Sequence, residues 1–426
     1  MKHTINILAA ALTALLVSSC TSVPTAPPSA SAPEPLKCVY RINVTSQPYH
    51  FYTPWQKKRH YSKTAVATLV GPNLLLVSAA IVSNHTYVEL ERIDSGVKTP
   101  AEIVCVDYEA NLALVKAKDD TFVADSTPLA VIDKLAEGAA VAVWQFESNG
   151  TPLVTTGEAR RASVLVYPHG QFLAYQVNIA LPSYARPQGT PAVVGGKLAG
   201  IMLNYSTSTQ TMRLIPAEVI RHFLDDFADG EYNGFPMAGF GFTRLDDPQL
   251  RDFVALPDGE QGVYVTYVRP TSPAAAGGMK KGDILLAIDG FDIDRLGQYN
   301  DPDYGKLGLS HISSTRSTSG STRTYHVWRD GRKLALTVKL RTLLADNFPI
   351  PPYIYDRGPD YVVTGGLVFM ELSRQFLKEW GGSWNKRAPQ RLVHYDRNQW
   401  ELFKPGTKLV ILTRILKTQA NTGYGD

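Results

Sequence analysis

Four side chains carry the groups that covalent chemistry at an acyl centre would use: His85, Asp107, Ser183 and Thr190. Acyl transfer needs a hydroxyl nucleophile, a base that takes its proton and a group that orients the base, all within hydrogen-bond reach. His85 and Asp107 precede Ser183 and Thr190 by at least 76 positions, and His85, in SNHT, also suits a solvated turn. A catalytic group made from them requires several loops to converge, and it stays open only as an alternative.

A second site would use the backbone. Gly239, Phe240, Gly241 and Phe242 form the sequence GFGF, whose successive N–H groups can converge on a carboxylate. A peptide would then add as a strand to the edge of the sheet, and the two aromatic rings would form an apolar pocket for its last residue. The alternative is that another part of the chain fills this groove.

Charge and ligand spacing exclude other classes of function. The chain has 43 Lys and Arg against 39 Asp and Glu, a net charge of +4, without the clustered basic footprint of a nucleic-acid-binding protein. Its histidines, such as His169 and His222, share no metal-ligand spacing with thiols or carboxylates. We therefore predict no nucleic-acid partner, no metal and no cofactor.

The N-terminus is typical of an exported protein. Lys2 and His3 precede an apolar run, from Ile5 to Val17, that has the length of a signal-peptide core. The VSSC that follows resembles the lipobox of bacterial lipoproteins, which implies cleavage before Cys20 and acylation of that residue. Because Thr21 comes next, the resemblance favours the periplasmic face of the outer membrane. The alternative is an ordinary signal peptide with an incidental cysteine.

Residues 1–19 are therefore assigned to the signal peptide and residues 20–36 to a tether rich in Pro, Ser and Ala. The tether has five prolines and little to bury, so we expect an extended spacer between the membrane and the folded part. In an oxidising compartment Cys38 and Cys105 could form a disulfide, and two buried thiols are an equal alternative.

Residues 37–230 have the pattern of an all-β domain. Short apolar runs such as TAVATLVG, LLLVSAAIV and LALVKA alternate with Gly, Pro, Asn and Asp turns, which predicts a barrel or a sandwich. The segment PAEVIRHFLDDFADG predicts a closing helix that ends at Gly230. Its apolar face is formed by Val219, Ile220, Phe223, Leu224 and Phe227.

The order of these features resembles the Deg/HtrA branch of the trypsin-like proteases. LLVSAAIV is similar to the strand that carries the catalytic histidine of that family, and it puts Ala80 at that position. VDYEANLALVK is similar to the strand with the catalytic aspartate and puts Asn111 there. QGTPAVVGGKLAGI is similar to the nucleophile loop and the strand after it, and it puts Gln188 at the serine.

These three substitutions imply that the domain has lost the chemistry of the family. An alanine takes no proton, an asparagine carries no charge to stabilise an imidazolium, and a carboxamide is no nucleophile at neutral pH. Arg186 stands where the family has a glycine of the oxyanion hole, and Pro187 has no N–H to donate. We predict a pseudoprotease with no catalytic residues. The alternative is an active serine-type endopeptidase that uses displaced residues.

The remaining sequence resembles two PDZ modules. Residues 234–342 have the order of a PDZ domain, with GFGF, the strand GVYVTYV, a short helix that begins at Ser272 and the hairpin KGDILLAIDG. Residues 343–426 resemble the second, PDZ-like module of plant-type Deg proteases, through GLVF, RQFLKEWGGSWNKRAP and KLVILTRIL. Here MELSRQFLKEWG predicts an amphipathic helix, and we expect the module to be shortened or the chain incomplete. Because the module serves assembly in those relatives, the resemblance allows a homo-oligomer.

The expected fold is mainly β, with a trypsin-like double β-barrel, an α+β PDZ domain and a partial PDZ-like C-terminal segment. The expected function is that of a lipid-anchored, inactive Deg/HtrA-like protein that binds peptide C-termini or unfolded segments through its PDZ domain. It would act as adaptor, chaperone or regulator in envelope protein quality control, with an active Deg/HtrA paralogue as a further partner. A structural subunit of a mixed oligomer is a third hypothesis.

Overall fold

A computed structural model describes residues 34–147, 149–182 and 188–423. The first barrel has six antiparallel strands, which close in the order β1, β2, β3, β6, β5, β4. Side chains alternate in and out along β1, so Ile42 and Val44 are buried in the barrel core. The strands are β1 (Val39–Ser46), β2 (Tyr61–Gly71), β3 (Leu74–Ser78), β4 (His85–Glu91), β5 (Lys98–Asp107) and β6 (Leu112–Ala117).

One predicted strand of this barrel is shorter than its apolar run. LLLVSAAIV was expected to be a single strand, but only β3 is extended, and a one-turn helix, α1 (Ala79–Val82), follows it. A tertiary contact explains the difference, because Asn111, the residue before β6, accepts hydrogen bonds from the first two N–H groups after β3. Ala79 N donates to the carbonyl of Asn111 at 3.2 Å and Ala80 N donates to its side-chain oxygen at 3.0 Å.

The second barrel also has six strands and closes in the order β10, β11, β12, β9, β8, β7. The predicted closing helix is present as α2 (Ala217–Ala228), which buries Val219, Ile220 and Phe223. Two closed six-stranded barrels confirm the predicted double-barrel architecture. The strands are β7 (Ala140–Phe146), β8 (Pro152–Val166), β9 (Gln171–Asn178), β10 (Pro191–Val194), β11 (Lys197–Ser206) and β12 (Thr211–Pro216).

A third unit follows as a sheet with the strand order β13, β14, β15, β19, β20, in which β16 pairs with β15. β17 and β18 form a separate hairpin. β13 is an edge strand, since β14 is its only partner among the described residues. The strands are β13 (Phe240–Arg244), β14 (Val263–Val268), β15 (Ile284–Ile288), β16 (Phe291–Asp292), β17 (Gln298–Asp301), β18 (Gly305–Gly308), β19 (Thr322–Arg329) and β20 (Arg332–Lys339). The helices are α3 (Pro248–Phe253), α4 (Pro273–Ala276) and α5 (Ser310–Ser313).

The C-terminal module has a three-stranded sheet in the order β21 (Tyr361–Thr364), β22 (Leu367–Glu371), β23 (Val410–Ile415). The helix predicted for MELSRQFLKEWG begins only after Ser373, because Met370 and Glu371 pair with β23. The Ser373 hydroxyl caps that helix by accepting from Phe376 N at 3.2 Å. The helices are α6 (Arg374–Leu377), α7 (Trp384–Arg387), α8 (Gln390–Arg397) and α9 (Gln399–Leu402).

Within the described ranges, no helix combines the length and the apolar character that crossing a bilayer requires.

Candidate functional site: an interbarrel cleft and a groove beside β13

Asn111 is tied to the helix turn that holds Ala80. Its buried side-chain oxygen accepts from Ser78 Oγ and from Ala80 N, both at 3.0 Å. Its backbone has φ +58, in the left-handed region that asparagine tolerates better than most residues. The structure therefore brings two of the three predicted triad-equivalent positions into direct contact.

Gln188 lies beside the same strands. Gln188 is exposed, and its backbone carbonyl oxygen accepts from Val66 N on β2 at 3.1 Å. The next residue, Gly189, has φ +79, and a Cβ built there would come within 2.7 Å of Val66 O and 3.9 Å of Ser78 N. The segment that leads into β10 thus lies against β2 and against Ser78, the residue before α1, and we call this junction of the two barrels the interbarrel cleft.

Lys63 is a cleft residue that sequence reasoning missed. Its ammonium group donates to the carbonyl of Ala80 at 2.7 Å and reaches Ser83 Oγ at 3.4 Å. Burial lowers the pKa of Lys63, and the nearby carboxylate of Asp356 opposes that shift. In the sequence, neither periodicity nor a motif distinguishes Lys63 from its neighbours on β2.

The displaced alternative gains no support from the described contacts. His85 Nδ1 bonds to a backbone carbonyl of α1 at 3.0 Å, and the Asp107 carboxylate accepts from Tyr232 OH at 2.5 Å. Thr190 is fully buried. In these contacts the His85 imidazole and the Asp107 carboxylate are hydrogen-bonded to different partners, as a base and its orienting group would not be.

Several predicted positions lie outside the described residues. They are the acylation site in the first 33 residues and three positions of the nucleophile loop, namely Cys20, Ser183, Arg186 and Pro187. The lipid anchor and the damaged oxyanion hole therefore stay predictions.

The GFGF sequence stands at the start of the edge strand. Gly239 has φ +80 and makes the turn, whereas Phe240, Gly241 and Phe242 belong to β13. They are extended because β14 pairs with them on one side. The ring of Tyr267 lies across Gly241, where a Cβ would come 2.0 Å from the ring carbon Cε1.

A cavity of about 420 Å³ opens beside this turn. Four parts of the chain enclose it: Glu109 of the first barrel, the third unit, the hairpin between β8 and β9, and the C-terminal module. The third unit contributes Gly239, Phe240, Phe242, Leu309, Ser310 and Ser313, the hairpin contributes Val166, His169 and Phe172, and the C-terminal module contributes Pro352 and Arg374. Sequence reasoning found the GFGF edge of this cavity and missed its other walls.

Titratable groups in the cavity wall are strongly perturbed. Burial, with the charge of Asp107 as a smaller cause, raises the pKa of Glu109 to about 8. Burial lowers the pKa of His169 to about 4, so its imidazole is neutral at physiological pH. Arg269 stacks on two rings of the C-terminal module, with its guanidinium carbon 4.5 Å from the Phe348 ring centroid. The wall therefore combines a cation with groups that are neutral at pH 7.

The C-terminal module also packs on the loops around the cleft. The Asp356 carboxylate accepts from Asn84 N at 2.7 Å, and Asn84 Oδ1 accepts from Asp356 N at 3.1 Å. Tyr355 OH bonds to His169 Nε2 at 3.0 Å. These contacts join residues on both barrels to one linker, which no local pattern in the sequence indicates.

Cys38 and Cys105 are unpaired thiols, of which Cys38 is buried and Cys105 is partly exposed. Burial raises the pKa of Cys38 to about 11 and that of Cys105 to about 12, so both are protonated at neutral pH. Among the described residues, no group of three or more His, Cys, Asp or Glu side chains could hold a metal ion.

Comparison with known families identifies the third unit and the C-terminal module. A PDZ domain model matches residues 236–340, and a second PDZ domain model matches residues 350–426.

Comparison with curated proteins extends over most of the chain. It is 27% identical over 402 residues to Protease Do-like 2, chloroplastic, of Arabidopsis thaliana, covering 92% of this chain and 64% of that protein. It is 25% identical over 334 residues to Protease Do-like 4, mitochondrial, of the same organism, covering 76% of this chain and 62% of that protein. The chain therefore spans about two thirds of the length of these relatives.

Solved structures share the fold. The HtrA-type protease AlgW with decapeptide superposes with a TM-score of 0.53 at 19% identity, covering 72% of this chain and 95% of that chain. AlgW with tripeptide gives 0.53 at 20% identity, covering 72% and 94%. The likeness at this identity concerns the arrangement of the barrels and the PDZ domain.

Proposed function

We propose that this chain, a homologue of the Deg/HtrA-type serine proteases with PDZ domains, is catalytically inactive and binds free peptide C-termini. The observation that carries the proposal is the cavity of about 420 Å³ at the GFGF turn, beside an edge strand without a second partner in the described part of the chain. Such an edge accepts an added peptide strand, and the backbone N–H groups at its start suit a carboxylate.

The loss of catalysis is supported by what stands in the cleft. Ala80, Asn111 and Gln188 lie around β3 and the first turn of α1, but their side chains are a methyl group and two carboxamides. Asn111 uses its oxygen to bind Ser78 and Ala80 N, a structural role that needs an acceptor and no charge. A base, an orienting anion and a nucleophile are each absent from these positions.

The peptide-binding part is supported by the chemistry of the cavity. Phe240 and Phe242 supply an apolar wall, and Arg269 places a positive charge in the same lining. An apolar last residue with a free carboxylate matches both features. AlgW, which shares the fold, has been solved with a decapeptide and with a tripeptide.

The cellular role follows from the N-terminus. We propose that acylation at Cys20 anchors the chain at the periplasmic face of the outer membrane, with the tether as spacer. There it would present exposed C-termini or unfolded segments to an active Deg/HtrA paralogue, or act as their chaperone.

Catalysis is tested with fluorophosphonate labelling and with cleavage of unfolded casein by the purified protein. We expect neither, and we expect none from Gln188→Ser, because Ala80 and Asn111 still stand where a base and its orienting group belong. An active family member serves as positive control. Cleavage by the wild type that is abolished by Ser183→Ala, Thr190→Ala or Lys63→Met would replace this proposal with a displaced catalytic site.

Peptide binding is tested by fluorescence anisotropy with decapeptides that end in Val, Leu or Phe, each with a free and an amidated C-terminus. The free forms should bind at least about tenfold more tightly, because a hydrogen-bonded charge is lost on amidation. Phe242→Ala should weaken binding, whereas Phe253→Ala, at an exposed position of the same unit, should not. Equal binding of free and amidated peptides would exclude use of the carboxylate site.

A further inference from the structure

The turn that joins β1 to β2 is strongly basic. From Pro35 to Val88 the chain contains six Lys and Arg residues and no Asp or Glu. The run KKRH, from Lys57 to His60, is exposed throughout, and Trp55 beside it is 40% exposed. A tip with this composition presents cations next to an amphipathic aromatic ring.

The last part of the C-terminal module has a similar bias, although the whole module, residues 343–426, is nearer to balance with 11 Lys and Arg against eight Asp and Glu. Residues 380–423 contain eight Lys and Arg against two acidic residues. One of the two, Asp396, is buried and paired with Arg374 at 3.1 Å, so it contributes little to the outer field. The overall net charge of +4 therefore conceals two regions that are far more positive.

Side-chain contacts bring these two regions together. The ring centroids of Trp55 and Tyr361 are 6.3 Å apart, and the Arg414 guanidinium carbon lies 5.8 Å from the centroid of the Tyr52 ring. On the sheet of the module, Val363 and Arg414 both pair with Val368 from opposite sides, which places them on one face. We call the resulting hairpin–sheet surface the set of exposed residues Tyr52, Trp55, Lys57, Tyr361, Val363 and Arg414.

We propose that the hairpin–sheet surface docks on a lipid bilayer with anionic headgroups. Trp and Tyr rings are favoured at the level of the headgroups, where one end is apolar and the other is hydrated. Lys and Arg beside them are attracted by the negative surface potential of anionic lipid. Within the KKRH run Lys58 is paired with Glu379 at 2.8 Å. The other exposed cations, the partly exposed rings and an aliphatic side chain fit that interface better than a purely polar partner.

A second copy of the chain is the competing occupant, and charge opposes it. A symmetric contact would place the cations of one copy against the same cations of the other, which is unfavourable. An acidic polymer would satisfy Lys57 and Arg414 but would leave Trp55, Tyr361 and Val363 without an apolar environment. The docking does not rest on the proposed peptide binding or on acylation.

The experiment uses the chain from Pro33 to Asp426, a compact unit that holds every described element and excludes the apolar N-terminal run. Sedimentation is measured with vesicles of phosphatidylcholine alone and with vesicles that contain phosphatidylglycerol. We expect binding only to the anionic vesicles, weakened by added salt. Lys57→Ala combined with Arg59→Ala should lower the partition coefficient about 30-fold, from roughly a tenfold change for each 1.4 kcal/mol and about 1 kcal/mol per cation.

Matched controls separate this surface from net charge and from general hydrophobicity. Lys280→Ala combined with Lys281→Ala removes the same charge from another exposed site and should leave binding within about twofold of wild type. Trp55→Ala should weaken binding, whereas Phe253→Ala, at a side chain that is 81% exposed, should not.

Four results would overturn the proposal. The first is equal binding to both kinds of vesicle or to neither. The second is a loss of binding in the Lys280→Ala, Lys281→Ala chain as large as in the Lys57→Ala, Arg59→Ala chain. The third is a change of oligomeric state in the Lys57→Ala, Arg59→Ala chain without lipid, which would assign the surface to contact between copies. The fourth is tighter binding to heparin than to anionic vesicles, which would assign the surface to an acidic polymer.

Discussion

Replacing Asn111 by alanine tests whether this position now serves the fold. Asn111→Ala removes the acceptor of two donors, Ser78 Oγ and Ala80 N, each 3.0 Å from the amide oxygen. Leaving the buried Ser78 hydroxyl unsatisfied costs about 1–3 kcal/mol, and losing the bond to Ala80 N costs about 1 kcal/mol. The substitution also places alanine at φ +58, which adds about 1 kcal/mol of backbone strain.

The expected loss is therefore about 3–5 kcal/mol of unfolding free energy. For a unit of the size of the double barrel, that corresponds to a melting temperature about 6–20 °C lower. Differential scanning calorimetry, with circular dichroism as a second probe, measures the shift of the transition that belongs to the barrels.

Two further substitutions separate the causes. Asn111→Gly also loses both bonds but accepts the positive φ without strain, so it should be about 1 kcal/mol less costly than alanine. Asn111→Asp keeps an acceptor for both donors and should be the mildest of the three. A negligible effect of Asn111→Ala, or a loss in Asn111→Asp as large as in Asn111→Ala, would refute this account of the side chain.

Three shorter predictions concern other sites. Because burial and a neighbouring carboxylate raise the pKa of Glu109 from 4.5 to about 8, the folded chain holds a proton that the unfolded chain releases. That contribution to stability is complete below pH 4.5 and is lost as the pH rises through about 8, so Glu109→Gln should flatten the melting temperature between pH 5 and 8 relative to wild type. Gly241→Val should weaken peptide binding roughly tenfold, because a side chain there displaces the ring that covers the glycine, and unchanged anisotropy titrations would contradict this. Cys20→Ala should abolish incorporation of labelled palmitate and release the protein from the membrane fraction, whereas a lipid-free wild type in the periplasm would contradict the anchor.

The order of the modules and the types of residue in the cleft could be predicted from the sequence because both are local properties. Alternation with period two marks the strands, as along β1, and a helical spacing marks α2 with its buried face. The alignment of motifs placed Ala80, Asn111 and Gln188 at the three positions, and each of these residue types limits its own chemistry wherever it lies. The GFGF edge was found for the same reason.

Tertiary structure alone decided which groups meet. Asn84 and Asp356 exchange two hydrogen bonds across 272 positions of the chain, and the cavity beside β13 draws its walls from four separate parts of the chain. Even the end of β3 depends on a distant residue. The backbone and side-chain oxygens of Asn111 accept from the N–H groups of Ala79 and Ala80, which therefore do not continue the strand. Such contacts follow from the packing of whole modules. Because that packing depends on many weak interactions among residues far apart in the chain, no short stretch of sequence predicts it.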